Sequence, residues 1–295
     1  MQVSRDAERY GQLASWAKWA IILMYLQTEA LVLKTVDFSE SSLVLTLLTR
    51  EYGKIRALAK GGRRLKNPFE SALDLMSHIL VTYIPKRGDV LDLLTESKLV
   101  RRFRPTRENY GGMYAGLYLI ELLNEMTIEQ EPVPELFDVT VEALTQLIDG
   151  KSVMPVVMRF EWQLLELTGH FPSLDFCVHC DAAIDHNARR IAFAHLDGGV
   201  VCPDCRPGTQ QVSIIKPDLI AAIKWVASGE GRGTRDEGRE AISEESLATR
   251  NSQLATTQMR ALLNQYISHL IGKRPVMLDY LGQGTRDKGR GKRYV

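Results

Sequence analysis

The rhythm of hydrophobic and polar positions changes once along the chain. From Leu26 to about Arg104, apolar residues recur with a period of two or in short runs. Ala30, Val32 and Lys34 alternate with Leu31, Leu33 and Thr35, and Leu43 to Thr49 is rich in β-formers. Lys54 to Ala59 sets charge against Ile55, Ala57 and Ala59, and His78 to Ile84 and Leu91 to Thr95 follow. Turn residues separate these runs at Asp37 to Ser42, Tyr52-Gly53, Gly61-Gly62 and Pro85 to Asp89. Five short strands so spaced predict a small barrel.

After Pro105 the period becomes helical. Gly112 to Met126 carries apolar residues nearly all round the wheel (Met113, Leu117, Leu119, Ile120, Leu122, Leu123 and Met126), which predicts a mostly buried helix. Helices are also predicted at Pro134 to Ile148 and at Val153 to Thr168, the latter closed by Gly169 and stopped by Pro172. Helical pattern returns at Pro217 to Ala227 and Ser252 to Ile271, and the glycine- and charge-rich stretch 229–245 between them is expected to be a mobile loop. The predicted fold is α+β. An N-terminal five-stranded barrel (24–104), for which the oligonucleotide-binding (OB) type leads although strand count does not fix topology, precedes a helical domain (105–176 and 206–272). A four-cysteine module (177–205) is inserted into the helical domain. Residues 1–23 read as an extension ahead of Met24, either native or upstream of the true start, and 273–295 as a basic tail.

Composition narrows the class. With 45% hydrophobic and 25% charged residues in 295, the chain is globular and long enough for about two domains. A net charge of +1 excludes a global polycation, so attraction for phosphate must come from local segregation of charge. Leu13 to Leu26 is interrupted by Lys18 and is too short to span a bilayer, and no cleavage-site pattern marks a secretory signal. No membrane association is expected, and no small-molecule substrate.

All four cysteines lie between 177 and 205, which suits a reducing cytoplasm better than a disulfide scaffold. Cys177-Val-His-Cys180 and Cys202-Pro-Asp-Cys205 form two C-x2-C pairs separated by 21 residues. Two such knuckles supply the closed four-sulfur shell of a structural zinc site, with no open position for catalysis. Reduced cysteines that merely pack are the alternative. His170, His179 and His195 lie close enough in sequence to replace a thiolate, but none is assigned as a ligand. A deaminase would need a His-x-Glu and Pro-Cys-x-x-Cys pair that the chain lacks.

The strongest charge segregation runs from Arg50 to Lys66, with seven basic residues against Glu51 alone. Strand alternation places Lys54, Arg56 and Lys60 on one face, and Gly61-Gly62 allows a turn that brings Arg63, Arg64 and Lys66 beside them. Such a row suits a groove that follows a phosphate backbone. The six side chains are expected to be exposed; a merely solvated strand face is the alternative. Tyr52, Phe69 and Tyr83 are candidates for stacking on bases or for core.

Leu26 to Thr35 (LQTEALVLKT), Tyr52 to Arg64 (YGKIRALAKGGRR), Phe160 to Cys180 (FEWQLLELTGHFPSLDFCVHC) and Gly198 to Cys205 (GGVVCPDC) resemble, in order, the opening strands, basic loop and two zinc knuckles of the RecO family of recombination mediators. The likeness extends over roughly Met24 to Lys273. It implies an OB domain, a helical domain and a zinc module. It also implies binding of single- and double-stranded DNA, annealing, partnership with RecR and with the C-terminal tail of single-stranded-DNA-binding protein, RecA loading, and a cytoplasmic, nucleoid-associated location. The extension and the 229–245 loop depart from the family pattern. Two other classes stay open: an RNA- or ribosome-associated OB and zinc protein, and a nuclease. The nuclease would need clustered carboxylates, whereas Asp74, Asp89 and Asp92 are scattered over turns.

Overall fold

The computed structural model describes residues 25–64, 69, 72–86, 88, 90–103, 109–227 and 250–281. The extension 1–23, the 229–245 loop, Lys66 and the tail beyond 281 lie outside the described residues. The chain divides into two compact units: the barrel with 127–138, and the remaining helices with the cysteine module.

Five strands form the barrel: β1 (Leu26–Asp37), β2 (Leu43–Thr49), β3 (Gly53–Ala59), β4 (Ser77–Ile84) and β5 (Asp92–Arg102). Their order, β1-β2-β3-β5-β4, closes on itself, which is the OB arrangement. The long β1 makes closure possible. Its first half pairs with β4, its second half pairs with β2, and a register shift between Val32 and Lys34 bends the strand where it changes partner. The last seam is a short parallel pairing, Ala57 to Ala59 against Asp92 to Leu94. Inward residues of each strand meet in one core that includes Val32, Leu45, Leu47, Ile55, Ala57, Ile79, Val81 and Leu94, and Phe69, Ala72 and Leu73 from the β3–β4 connection join it. Each valine, leucine or isoleucine among them contributes about 1.5–3 kcal/mol by leaving water.

A strap from later in the chain completes this unit. Residues 127–131 run beside the start of β3, where Gln130 N donates to Lys54 O at 2.9 Å and Glu129 bridges to Lys54 in parallel. Gly53 sits at φ +70° and so close to the strap that a Cβ there would lie 2.3 Å from Glu131 O. Glycine meets both demands.

The second unit is built on α1 (Tyr110–Met126), followed by α2 (Pro134–Ile148), α3 (Val153–Leu167), α4 (Pro217–Ala227) and α5 (Arg250–Leu270). As its apolar pattern predicts, α1 is largely buried, through Ala115, Tyr118, Leu119, Ile120, Leu122 and Leu123. It packs against α3 and against the short 3-10 turn Val276–Tyr280, whose first amides, Val276 N and Met277 N, donate to the Glu121 carboxylate at 2.7 and 2.8 Å. Between α3 and α4 lies a three-stranded sheet that the sequence pattern does not predict: β6 (Ile191–Ala194) between β7 (Gly199–Val201) and β8 (Val212–Ile215). No helix among the described residues is long and apolar enough to cross a membrane.

Candidate nucleic-acid interface and metal centre

The first knuckle begins where the chain leaves α3 and runs along the edge of β7. Ser173 N donates to Gly198 O at 3.0 Å, Val200 N to Ser173 O at 2.9 Å and Val178 N to Val200 O at 3.0 Å. Contact this close requires Gly199, since a Cβ there would stand 2.5 Å from Ser173 O and 2.7 Å from the Val178 side chain. Asp181 N returns to Cys177 O at 2.9 Å and turns the chain through a positive φ of 57°. The second knuckle follows β7 directly, with Arg206 N on Cys202 O at 3.1 Å.

The four sulfurs thereby converge to within 4.8 Å of one another. Cys180 Sγ and Cys202 Sγ are 3.7 Å apart. A tetrahedral shell with metal–sulfur bonds of about 2.3 Å has sulfurs about 3.8 Å apart, so the spacing fits such a shell. Burial would push the Cys177 thiol up, but the backbone N–H groups of Cys202, His179 and Cys180 outweigh it and hold this thiol down at about 6. Cys205, beside the Cys202 and Cys180 sulfurs, is pushed up to about 12. One thiolate forms readily and its neighbours resist a second negative charge, a conflict that a shared cation relieves. The four cysteines can therefore hold a metal ion.

The histidines are engaged elsewhere. His179 Nε2 lies 3.4 Å from Asp197 and 3.3 Å from Thr209 Oγ1. His170 pairs with Thr168, and His195 Nε2 with Ser213 Oγ at 2.8 Å.

The cationic residues lie on the barrel's outer face. Cross-strand register sets Lys34 opposite Thr46 and Thr46 opposite Arg56, all outward, and Arg56 and Lys34 are exposed. Lys60 is exposed two residues beyond Leu58, and Arg63 and Arg64 follow in the turn. Arg63 N donates to Ser41 O at 3.1 Å, which joins this turn to the β1–β2 loop, and the Arg63 side chain reaches Asp37 at 3.1 Å. Both partners of that pair are exposed, so it contributes at most about 1 kcal/mol and yields to a competing phosphate.

One expectation is corrected here. Lys54 is 8% exposed, not part of an exposed row, because the strap covers it and its ammonium donates to Thr127 O. Of the two readings open for the aromatic residues, core is the one realised: Phe69 and Tyr83 are buried in it and Tyr52 packs against it. Sequence reasoning missed Lys34 and Phe38. Strict alternation sets both on the face of Ala30 and Val32, which is the core face; the register shift between Val32 and Lys34 turns them outward, and no local pattern announces it. Arg50, counted in the basic run, is engaged: it grips Asp138 with two hydrogen bonds of 2.9 and 2.8 Å, and holds that carboxyl below its ordinary range.

Fold and geometry together define an OB-barrel protein joined to a helical unit that carries a four-cysteine module able to hold a metal ion. Residues 24–103 match the family profile described as Recombination protein O N terminal, and residues 107–277 match Recombination protein O C terminal. A DNA repair protein RecO of Rhodopirellula baltica is 40% identical over 263 residues, 85% of this chain and 97% of that protein. The RecO proteins of Myxococcus xanthus and Syntrophus aciditrophicus are 32% and 28% identical, over 86% and 88% of this chain and 96% of each of theirs. The chain belongs to the RecO family of DNA repair proteins.

Proposed function

We propose that this protein binds single- and double-stranded DNA on the outer face of its barrel and anneals complementary strands as a recombination mediator without a chemical step of its own. The observation that carries this reading is the cross-strand set of Lys34 and Arg56, with Lys60, Arg63 and Arg64 exposed on the same outer face, on an OB barrel of a RecO-family chain. Positive charge along an OB face follows a phosphate backbone without reading sequence. Lys66 belongs to the same proposed site by its place in the basic run, whereas Lys54 acts in folding. RecR and the C-terminal tail of single-stranded-DNA-binding protein are its proposed partners on family grounds, in the cytoplasm at the nucleoid. The metal is zinc, held by Cys177, Cys180, Cys202 and Cys205, with a structural role.

Titration with matched DNA and RNA oligonucleotides over a range of salt tests the reading. Arg56→Ala/Arg63→Ala should weaken binding to all DNA sequences alike and lower the single-strand salt slope by about 0.7 for each lost contact. Wild-type affinity and slope in the folded variant would overturn it. Strong preference for RNA would favour the RNA-associated alternative, since that selectivity needs contacts to the 2′-hydroxyl.

A further inference from the structure

The cationic row on the barrel does not stand alone. In the register two residues further along, Val36 faces Val44, Val44 faces Leu58, and Leu58 faces Leu93, so an outward apolar row crosses four strands. Val36 is 46% exposed, and the other three are partly exposed. On the far side of this row the same parity brings out Phe38, 64% exposed, and Lys60. Scattered exposed hydrophobics are ordinary on a protein surface. A contiguous apolar row between two sets of cations, with an exposed aromatic ring at its border, suits one kind of ligand: a flexible polyanion that also presents flat apolar faces.

We propose that this face is a single-strand platform, on which bases stack against Phe38 and lie over the Val36–Val44–Leu58–Leu93 row while Lys34 and Arg56 on one side and Lys60 and Arg63 on the other hold phosphates. The proposal rests on the DNA-binding reading and adds strand discrimination to it. A duplex hides its base faces and offers charged phosphates, which lose water without recompense against valine and leucine. Bases of a single strand lose little by leaving water and gain stacking. Phe38 is presented rather than stowed: Phe38 N and Ser39 N both donate to Ser42 O, Ser42 N donates to Ser39 Oγ, and Arg63 N holds Ser41 O. The loop is fixed before ligand arrives, so little ordering is needed on binding.

Anisotropy titrations of the full-length protein with a dT oligonucleotide and with a blunt duplex test this. Phe38→Ala should weaken binding to the single strand about tenfold, leave duplex affinity within about twofold and leave both salt slopes unchanged. Arg56→Ala/Arg63→Ala should weaken both ligands. In Phe38→Trp the added indole should be quenched by the single strand and not by the duplex. Unchanged single-strand affinity in Phe38→Ala with no quenching in Phe38→Trp, or equal weakening toward both ligands, overturns the platform and leaves DNA binding intact provided the arginine variant is impaired. If the arginine variant also binds both ligands as wild type does, the DNA-binding reading itself falls.

Discussion

Glu161 has no exposed surface, and its carboxylate takes a hydrogen bond from Tyr118 at 2.6 Å and an ion pair from Arg260. Burying such a pair adds little net stability, but removing one partner strands the other charge away from water. Glu161→Ala should therefore cost about 3–5 kcal/mol in urea denaturation. Lys54→Met loses a buried hydrogen bond but no exposed charge, and is expected to destabilise the barrel by about 1–3 kcal/mol while leaving the DNA salt slope unchanged. His195 is 1% exposed, and burial, reinforced by nearby His269, lowers it from 6.5 to about 4. Between those values the unfolded chain binds the proton and the folded chain does not. Stability present above the unfolded value is lost as pH falls toward 4, by up to about 3 kcal/mol, and His195→Gln should flatten that part of the profile in denaturation curves. Charge identity at these positions is plain in the sequence, but burial is not. Lys54 reads as solvent-facing because the strap that covers it lies more than 70 residues further on.

At the scale of elements, local pattern and long-range pairing separate. The all-round apolar wheel of α1 and the alternation of β1 to β4 are written in adjacent residues, and the C-x2-C spacing marks both knuckles. The parallel seam between β3 and β5 leaves no local trace, since it depends on β1 curving far enough to bring distant strands together. The small sheet is equally hidden: β7 has three residues and β6 and β8 four each, too few for a period to emerge. The tightest backbone approaches are where elements should break. Gly53→Ala meets both a positive φ and the Glu131 backbone, so a loss of about 2–4 kcal/mol is expected, read by thermal denaturation of the barrel. Gly199→Ala would separate the first knuckle from β7 and should lower zinc content in metal analysis although no ligand is touched.

For the whole molecule, the metal is expected to matter through stability. Purified protein should carry about one zinc per chain, and Cys202→Ser/Cys205→Ser should abolish it. Chelation should then expose amides of 173–215 in hydrogen exchange before the barrel amides, with DNA affinity falling less than stability. Full zinc retention in the double variant would exclude this ligand set. The barrel places a different demand on the chain. The last part of its unit, 127–138 with the strap, is synthesised only after α1, so all five strands emerge from the ribosome before the unit they belong to can finish. At about 5–20 residues per second, a nascent chain waits roughly 2–7 s between completing Arg104 and completing Asp138. Throughout that interval the start of β3 shows its unpaired edge, and Lys54 lacks its acceptor. A fragment ending at Arg104 should be cleared by cellular proteases faster than one in which 127–138 is rejoined through a short tether, a difference that pulse-chase labelling measures directly.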